Sequence, residues 1–199
     1  MKTFKSLIVL LAFAGLLLVG CSEQSQSPVS SADQSISVPG ILEKNVNIEF
    51  EGIMNPTWVD PNAGFTKYPD GKIIVRGTKQ TISLNVTYPN GSNGLPDLLS
   101  GTGELELNGT ADFNTGEGDF WGNLVLTPNA PEAQGGQWKL TWHGKGKLSA
   151  TGWTLPLKEL GHGNGGALTG MQCFLENTIT AAPTFYPWSG EAKGYIKTH

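Results

Sequence analysis

Apolar and polar residues alternate along most of the chain after residue 45. In "NVNIEFEG" (45–52), Val46, Ile48 and Phe50 share one face, as in a half-buried β-strand. The clearest strand is "QWKLTWHGKGKLSA" (137–150), where a slip of one residue would place three lysines in the core. Its predicted inner face comprises Trp138, Leu140, Trp142, Gly144, Gly146, Leu148 and Ala150, and its outer face comprises Lys139, Thr141, His143, Lys145, Lys147 and Ser149.

Turn signals divide the rest of the chain into further strands. "YPDG" (68–71) and "YPNG" (88–91) predict tight turns with glycine at positive φ. We expect a long loop after the second turn, with one helical turn at 96–99, and another loop at "GHGNGG" (161–166). The predicted strands are "KIIVRG", "TISLNVTY", "GELELNGTADF", "DFWGNLVLTP", "GWTLPLKEL" after a turn near Thr151, "ALTGMQCFLENTIT" and "GEAKGYIKT".

This pattern predicts an all-β fold of about eight or nine antiparallel strands, as a closed barrel or a two-sheet β-sandwich. Glycines lie inside several strands, where they permit the bends that a barrel needs to close. We therefore favour an antiparallel barrel of about eight strands over the sandwich. These predicted strand glycines are Gly122, Gly144, Gly146, Gly170 and Gly194.

The first residues have a different pattern. Lys2 and Lys5 precede an apolar run, 7–19, that has the length of a secretory signal and is short for a membrane span. The run ends Leu18-Val19-Gly20-Cys21, which resembles the lipobox of bacterial lipoproteins. The resemblance implies cleavage before Cys21 and acylation of its thiol. It also implies the outer membrane, because Ser22 follows the cysteine where an aspartate would favour inner-membrane retention.

These boundaries divide the chain into three parts. Residues 1–20 are a predicted lipoprotein signal peptide, and 21–40 are a disordered tether rich in serine and glutamine. Residues 41–199 are a single all-β domain, long enough for a substantial core.

Composition narrows the function classes. The net charge is −4 and Arg76 is the only arginine, which argues against a nucleic-acid partner. Cys173 is the only cysteine besides Cys21, so once Cys21 is acylated no disulfide within the chain is expected. Cys173 has apolar neighbours and is expected to be an inert buried thiol. The glycine-rich stretch 101–126, with "GEGDFWG", also resembles the allene oxide cyclase and dirigent type of barrel, from which no catalytic residue is carried over.

The candidate ligand-binding residues are Trp138, Trp142, His143, His162 and Asn164. The two tryptophans follow the apolar register and so belong to the core or to a cavity wall. His162 and Asn164 lie among glycines, which let backbone approach a ligand closely.

The sequence offers three other candidate sites. His143 and His162 could meet Glu159 or Asp112 to bind zinc or iron, but no metal-ligand spacing is present, and neither a metal nor a cofactor is expected. Glu104 and Glu106 could act as paired carboxylates of a glycosidase, although pairing with Lys139, Lys145 and Lys147 is the simpler explanation. Exposed Trp121 and Trp188 could stack against sugars.

The function expected is binding rather than catalysis. We expect a lipid-anchored envelope lipoprotein whose barrel holds a small apolar or amphipathic ligand. The alternatives are a surface carbohydrate-binding module and a barrel enzyme, isomerase-like, that uses His143 and His162. The expected partners are the membrane, through Cys21, and a small ligand or glycan.

Overall fold

The structure, a computed structural model, describes residues 46–60 and 64–198. Nine strands and two short 3₁₀ turns, Pro131–Ala133 and Gly166–Leu168, lie within these residues. No helix in these two segments is long and apolar enough to cross a membrane. The strands are β1 (Asn47–Val59), β2 (Phe65–Lys67), β3 (Lys72–Thr87), β4 (Gly101–Asp112), β5 (Glu117–Pro128), β6 (Gln137–Ser149), β7 (Gly152–Asn164), β8 (Gln172–Ala181) and β9 (Trp188–Lys197).

The strands form a closed antiparallel barrel. From β3 to β9 each strand pairs with the next, and β1 pairs with both β9 and β3, which closes eight strands into a ring. The short β2 is an extra strand that pairs with residues 73–75, near the start of β3. The predicted barrel is confirmed, and the alternative of a two-sheet sandwich is wrong.

Period-two alternation places the apolar face of each strand inside the barrel. Ile48, Phe50, Trp138, Leu140 and Trp142 are buried, as their register predicts. On β6 the lysines and His143 are exposed. Both Tyr-Pro-Asx-Gly turns also form as predicted, since the Gly71 amide donates to the Tyr68 carbonyl at 3.1 Å and the Gly91 amide to the Tyr88 carbonyl at 3.0 Å.

One end of the barrel, here the closed end, is filled by side chains from the segments 88–100, 129–136 and 165–171. Leu98 and Leu99 are fully buried there, and the Trp138 indole N–H donates to the Leu98 carbonyl at 2.7 Å. No helical turn forms at 96–99, contrary to our expectation. The Asp97 carboxylate instead accepts the amides of Leu99 and Ser100, which holds the segment as a turn.

The predicted "GHGNGG" loop is partly wrong. Residues 161–164 continue β7, and Gly161 and Gly163 face inward. The loop begins only at Gly165, where φ is +78°. His162 therefore lies on a strand rather than in a loop.

Candidate functional site

The end opposite the closed end, here the mouth, opens into a cavity of about 510 Å³. The segments 113–116, 150–151 and 182–187 join the strands around the mouth. Aromatic side chains dominate the cavity wall, so it is apolar over most of its surface. These are Trp58, Phe65, Phe120, Trp142, Trp153, Phe185, Tyr186 and Trp188.

Among the described residues, three with amide or carboxyl side chains occupy inward positions of otherwise apolar strand faces. Gln80, Glu159 and Asn177 are each at most 6% exposed. Gln80 and Glu159 line the cavity itself. Polar side chains rarely occupy such positions without partners, because each loses its hydration on burial. These three residues therefore identify the part of the lumen whose chemistry needs explanation.

Glu159 is the most unusual of the three. It lies on β7 directly between Trp142 of β6 and Leu175 of β8, and its Oε2 atom has no hydrogen-bond partner among the described residues. Burial raises the pKa of its carboxyl from 4.5 to about 7, and a hydrogen bond from Asn177 opposes that rise. A carboxyl with this pKa changes charge close to neutral pH, which is typical of functional sites.

The neighbouring polar groups are only partly paired. The Trp188 indole N–H donates to Gln80 Oε1 at 2.9 Å, and Asn177 Nδ2 contacts Met54 Sδ at 3.4 Å. The Trp142 indole N–H and Asn177 Oδ1 have no partner in the described part of the chain. Unpaired buried donors and acceptors each cost about 1–3 kcal/mol, so a ligand that paired them would recover that energy.

Phe185 brings the 182–187 segment across the mouth. Its ring stacks on Trp153 at a centroid distance of 4.9 Å and meets Phe120 edge-on at 5.7 Å. Its φ is +66°, a conformation that non-glycine residues rarely adopt. The aromatic packing holds this residue in place, and it narrows the mouth without filling the cavity.

The predicted ligand-binding residues are separated by the fold. Trp142 lines the cavity, whereas Trp138 is completely buried near the closed end. His143, His162 and Asn164 are exposed on the outside of the barrel. His143 pairs with Lys158, four residues before His162, so about 13 Å of strand separates the histidines.

The histidines also do not meet Glu159 or Asp112, the two carboxylates proposed to join them, and Asp112 lies on β4, which β5 separates from β6. Glu159 faces the lumen while both histidines face outward, so these side chains lie on opposite sides of the wall. Among the described residues, no three His, Cys, Asp or Glu side chains are placed to hold a metal ion.

His143 instead belongs to a belt of outward residues that are direct partners across successive strands. Acidic and basic side chains alternate along most of this belt. Pairing between neighbouring strands is therefore enough to account for its charged residues. One ion pair within it joins Lys193 and Glu176 at 3.9 Å, with both side chains well exposed. The belt runs Glu51, Lys193, Glu176, Lys158, His143 and Trp121.

The lysines of β6 find partners other than those expected. Glu104 and Glu106 lie on β4, and β5 separates them from β6, so the predicted pairing with Lys139, Lys145 and Lys147 is wrong. Lys145 approaches Asp119 of β5 at 3.8 Å. The glutamates face outward on the barrel wall and line no part of the lumen cavity.

The tryptophans predicted for sugar stacking lie in different places. Trp121 is 48% exposed on the outer wall, whereas Trp188 is 8% exposed and lines the lumen. They form no common platform.

Cys173 is fully buried, and burial together with Glu159 raises the pKa of its thiol. Cys21 and the tether lie outside the described residues.

Sequence reasoning missed Gln80 and Asn177 altogether and considered Glu159 only as a metal ligand. The sequence did contain a sign of this inward position, because Glu159 falls on the same alternating face of β7 as Trp153, Leu155 and Leu157. A carboxylate in the apolar register of a strand indicates a polar group inside the fold. Phe185 gave no such signal, because loop residues have no register.

Comparison with known protein families, with curated proteins and with solved structures finds no match to this chain. The resemblance of residues 101–126 to allene oxide cyclase and dirigent barrels thus gains no support from these comparisons. A functional assignment depends on the lumen and on the N-terminal sequence.

Proposed function

We propose that this protein is a lipid-anchored envelope lipoprotein whose barrel holds a small apolar or amphipathic ligand in its lumen. The observation that carries the proposal is the aromatic cavity of about 510 Å³ at the mouth. Protein interiors are normally closely packed, and buried side chains fill the closed end of this barrel, whereas the mouth leaves this cavity unfilled. The cavity volume lies within the range of small-molecule sites, about 300–1,000 Å³.

The wall chemistry supports an apolar ligand body. Each Å² of apolar surface removed from water contributes about 25 cal/mol, and the aromatic rings offer large flat surfaces for such contact. Glu159 and Gln80 supply polar groups deeper in the lumen. A ligand with an apolar body and one polar group would match both parts of the wall.

The anchor is supported by sequence alone. Two or three acyl chains on Cys21 would hold the protein durably, whereas one chain binds only reversibly. Ser22 and Glu23 after the cysteine support an outer-membrane location. The tether would keep the barrel at a distance from the lipid surface.

The geometry supports the other two candidate functions less well. A carbohydrate-binding module would have to use Trp121 on the outer wall without Trp188, which lines the lumen. A histidine-based isomerase would have to work from exposed residues about 13 Å apart that face no cavity.

The proposal can be tested with N-phenyl-1-naphthylamine, a neutral apolar dye that fluoresces on leaving water. We expect saturable binding to the mature protein, with energy transfer from the lumen tryptophans. Leu155→Trp, which adds bulk at a half-buried position of the cavity wall, should abolish binding. The outer-face control, His143→Ala with His162→Ala, should bind normally. Binding that survives in Leu155→Trp, or no binding at all, would contradict the proposal.

A further inference from the structure

We propose that the ligand of the lumen is a small hydrophobic cation, whose protonated amine pairs with Glu159 while its apolar body packs against the aromatic wall. This inference rests on the proposed function, since it specifies the ligand class of the same cavity. It is carried by the charges that line the cavity, by the unpaired carboxylate oxygen and by the arrangement of the aromatic rings.

The charges of the cavity lining have one sign. Glu159 lies inside and Asp60 lies at the rim, and none of the described lining residues is lysine, arginine or histidine. A fatty-acid carboxylate or a phosphate group would enter this cavity without a cationic partner, at a large desolvation cost. A cation would instead meet complementary charge, which favours an ammonium group over an anion.

Glu159 also has a free acceptor in the right place. The residue is 5% exposed, and its Oε2 atom lacks a partner among the described residues. Hydrogen bonds between an ammonium and a carboxylate are among the strongest in proteins, particularly where water is excluded. An amine N–H would therefore satisfy an atom that the protein itself leaves unpaired.

The aromatic wall suits a cation as well. Trp142 is the direct cross-strand partner of Glu159, and Trp153 and Phe185 stack above the cavity. A cation within about 6 Å of an aromatic face is attracted by the ring quadrupole, and tryptophan provides the strongest such attraction. A neutral alcohol could hydrogen-bond to the carboxylate, but it would bring no positive charge to the carboxylate or to the ring faces.

The titration of Glu159 agrees with this assignment. Its cross-strand partners Trp142 and Leu175 carry no charge, and on β8 the neutral Asn177 amide donates to it. Cys173 of the same strand is a thiol whose own pKa is raised by burial and by Glu159. The carboxyl thus faces no cation among the residues that the structure describes, and burial raises its pKa to about 7. A bound ammonium would lower this pKa, so binding at pH 6 should release a proton.

Three probes of equal length separate the possibilities: octylamine, 1-octanol and octanoate, titrated into the mature protein at pH 8 by calorimetry. We expect octylamine to bind about tenfold or more tightly than octanol, and octanoate most weakly. In Glu159→Gln the preference for amine over alcohol should fall to about twofold or less, while octanol binding shows that the lumen is intact. Glu176→Gln, on the outer face of β8, is the matched control and should retain the preference.

Each other result has a defined meaning. Equal binding of octanol and octylamine, both blocked by Leu155→Trp, would overturn the cation assignment and leave the proposed function standing. An amine preference that survives in Glu159→Gln would overturn the role of Glu159. No binding of octylamine or octanol at pH 8, together with no binding of the neutral dye, would overturn the cation inference and the proposed function together.

Discussion

Glu159 shows how a single residue can depart from the pattern that builds its strand. Trp153, Leu155 and Leu157 place one face of β7 inside the barrel, and Glu159 follows in the same register. The backbone register therefore forces the carboxyl inward, although an exposed position would cost less. Gln80 and Asn177 are placed by the same rule on β3 and β8. The alternation of inward and outward residues along each strand predicts these positions, but it does not predict which polar groups remain without a hydrogen-bond partner.

The raised pKa of Glu159 makes stability depend on pH. The unfolded chain releases this proton near pH 4.5, and the folded barrel holds it until about pH 7. Stability should therefore fall as the pH rises from 4.5 to 7, because only the unfolded state gains from ionisation in that interval. Since one pKa unit corresponds to about 1.4 kcal/mol, the loss from this group is about 3 kcal/mol.

We expect Glu159→Gln to remove this loss. Urea unfolding at pH 4.5, 6 and 8 should show the variant gaining on the parent protein as the pH rises, with most of the gain complete by pH 8. Glu176→Gln, an exposed glutamate on the neighbouring strand, should follow the parent protein. A constant difference between Glu159→Gln and the parent at all three pH values would contradict the raised pKa.

Some strand glycines of this barrel lie against backbone, and others lie against side chains. At Gly122 on β5, a Cβ atom would collide with the Glu106 carbonyl of β4 and lie 2.7 Å from the Trp142 ring. At Gly146 on β6 the nearest atoms are ring carbons of Phe120 and Trp153, at 3.0 and 3.2 Å. Both glycines are buried within strands, so sequence pattern does not distinguish them.

Alanine substitutions should separate these two positions. Gly122→Ala should destabilise the barrel by about 2 kcal/mol or more, because backbone must move. Gly146→Ala should change stability by no more than about 1 kcal/mol, because side chains can shift and alanine restricts the unfolded chain. Urea midpoints of the two variants give the comparison directly. Equal losses would show that the rings around Gly146 are as rigid as the backbone around Gly122.

At the scale of the whole molecule, the alternation of apolar and polar residues predicted most strands of the barrel and which of their side chains face inward. It did not predict which loop side chains close each end of the barrel, because residues in loops do not alternate between an inner and an outer face. Leu98 and Leu99 fill one end from a loop, while Phe185 only narrows the other. The difference between a packed barrel and one with a cavity therefore arises in the segments that sequence pattern describes least. Trp138 and Trp142 both follow the inward register of β6, so the sequence pattern does not distinguish them. Trp138 nevertheless lies in the filled end and Trp142 in the cavity wall, because the loops pack differently at the two ends.

The proposed lipid anchor belongs to the full chain and is tested with the barrel intact. In a bacterial host we expect the parent protein to sediment with membranes and partition into a detergent phase, because acyl chains on Cys21 would insert into lipid. Cys21→Ala should leave the membrane fraction while its barrel still binds the neutral dye, since the lumen lies in 46–198 and does not depend on the anchor. The N-terminal peptide of the parent should carry acyl mass on Cys21. Equal membrane association of both proteins, with an unmodified peptide, would show that any attachment works through another part of the chain.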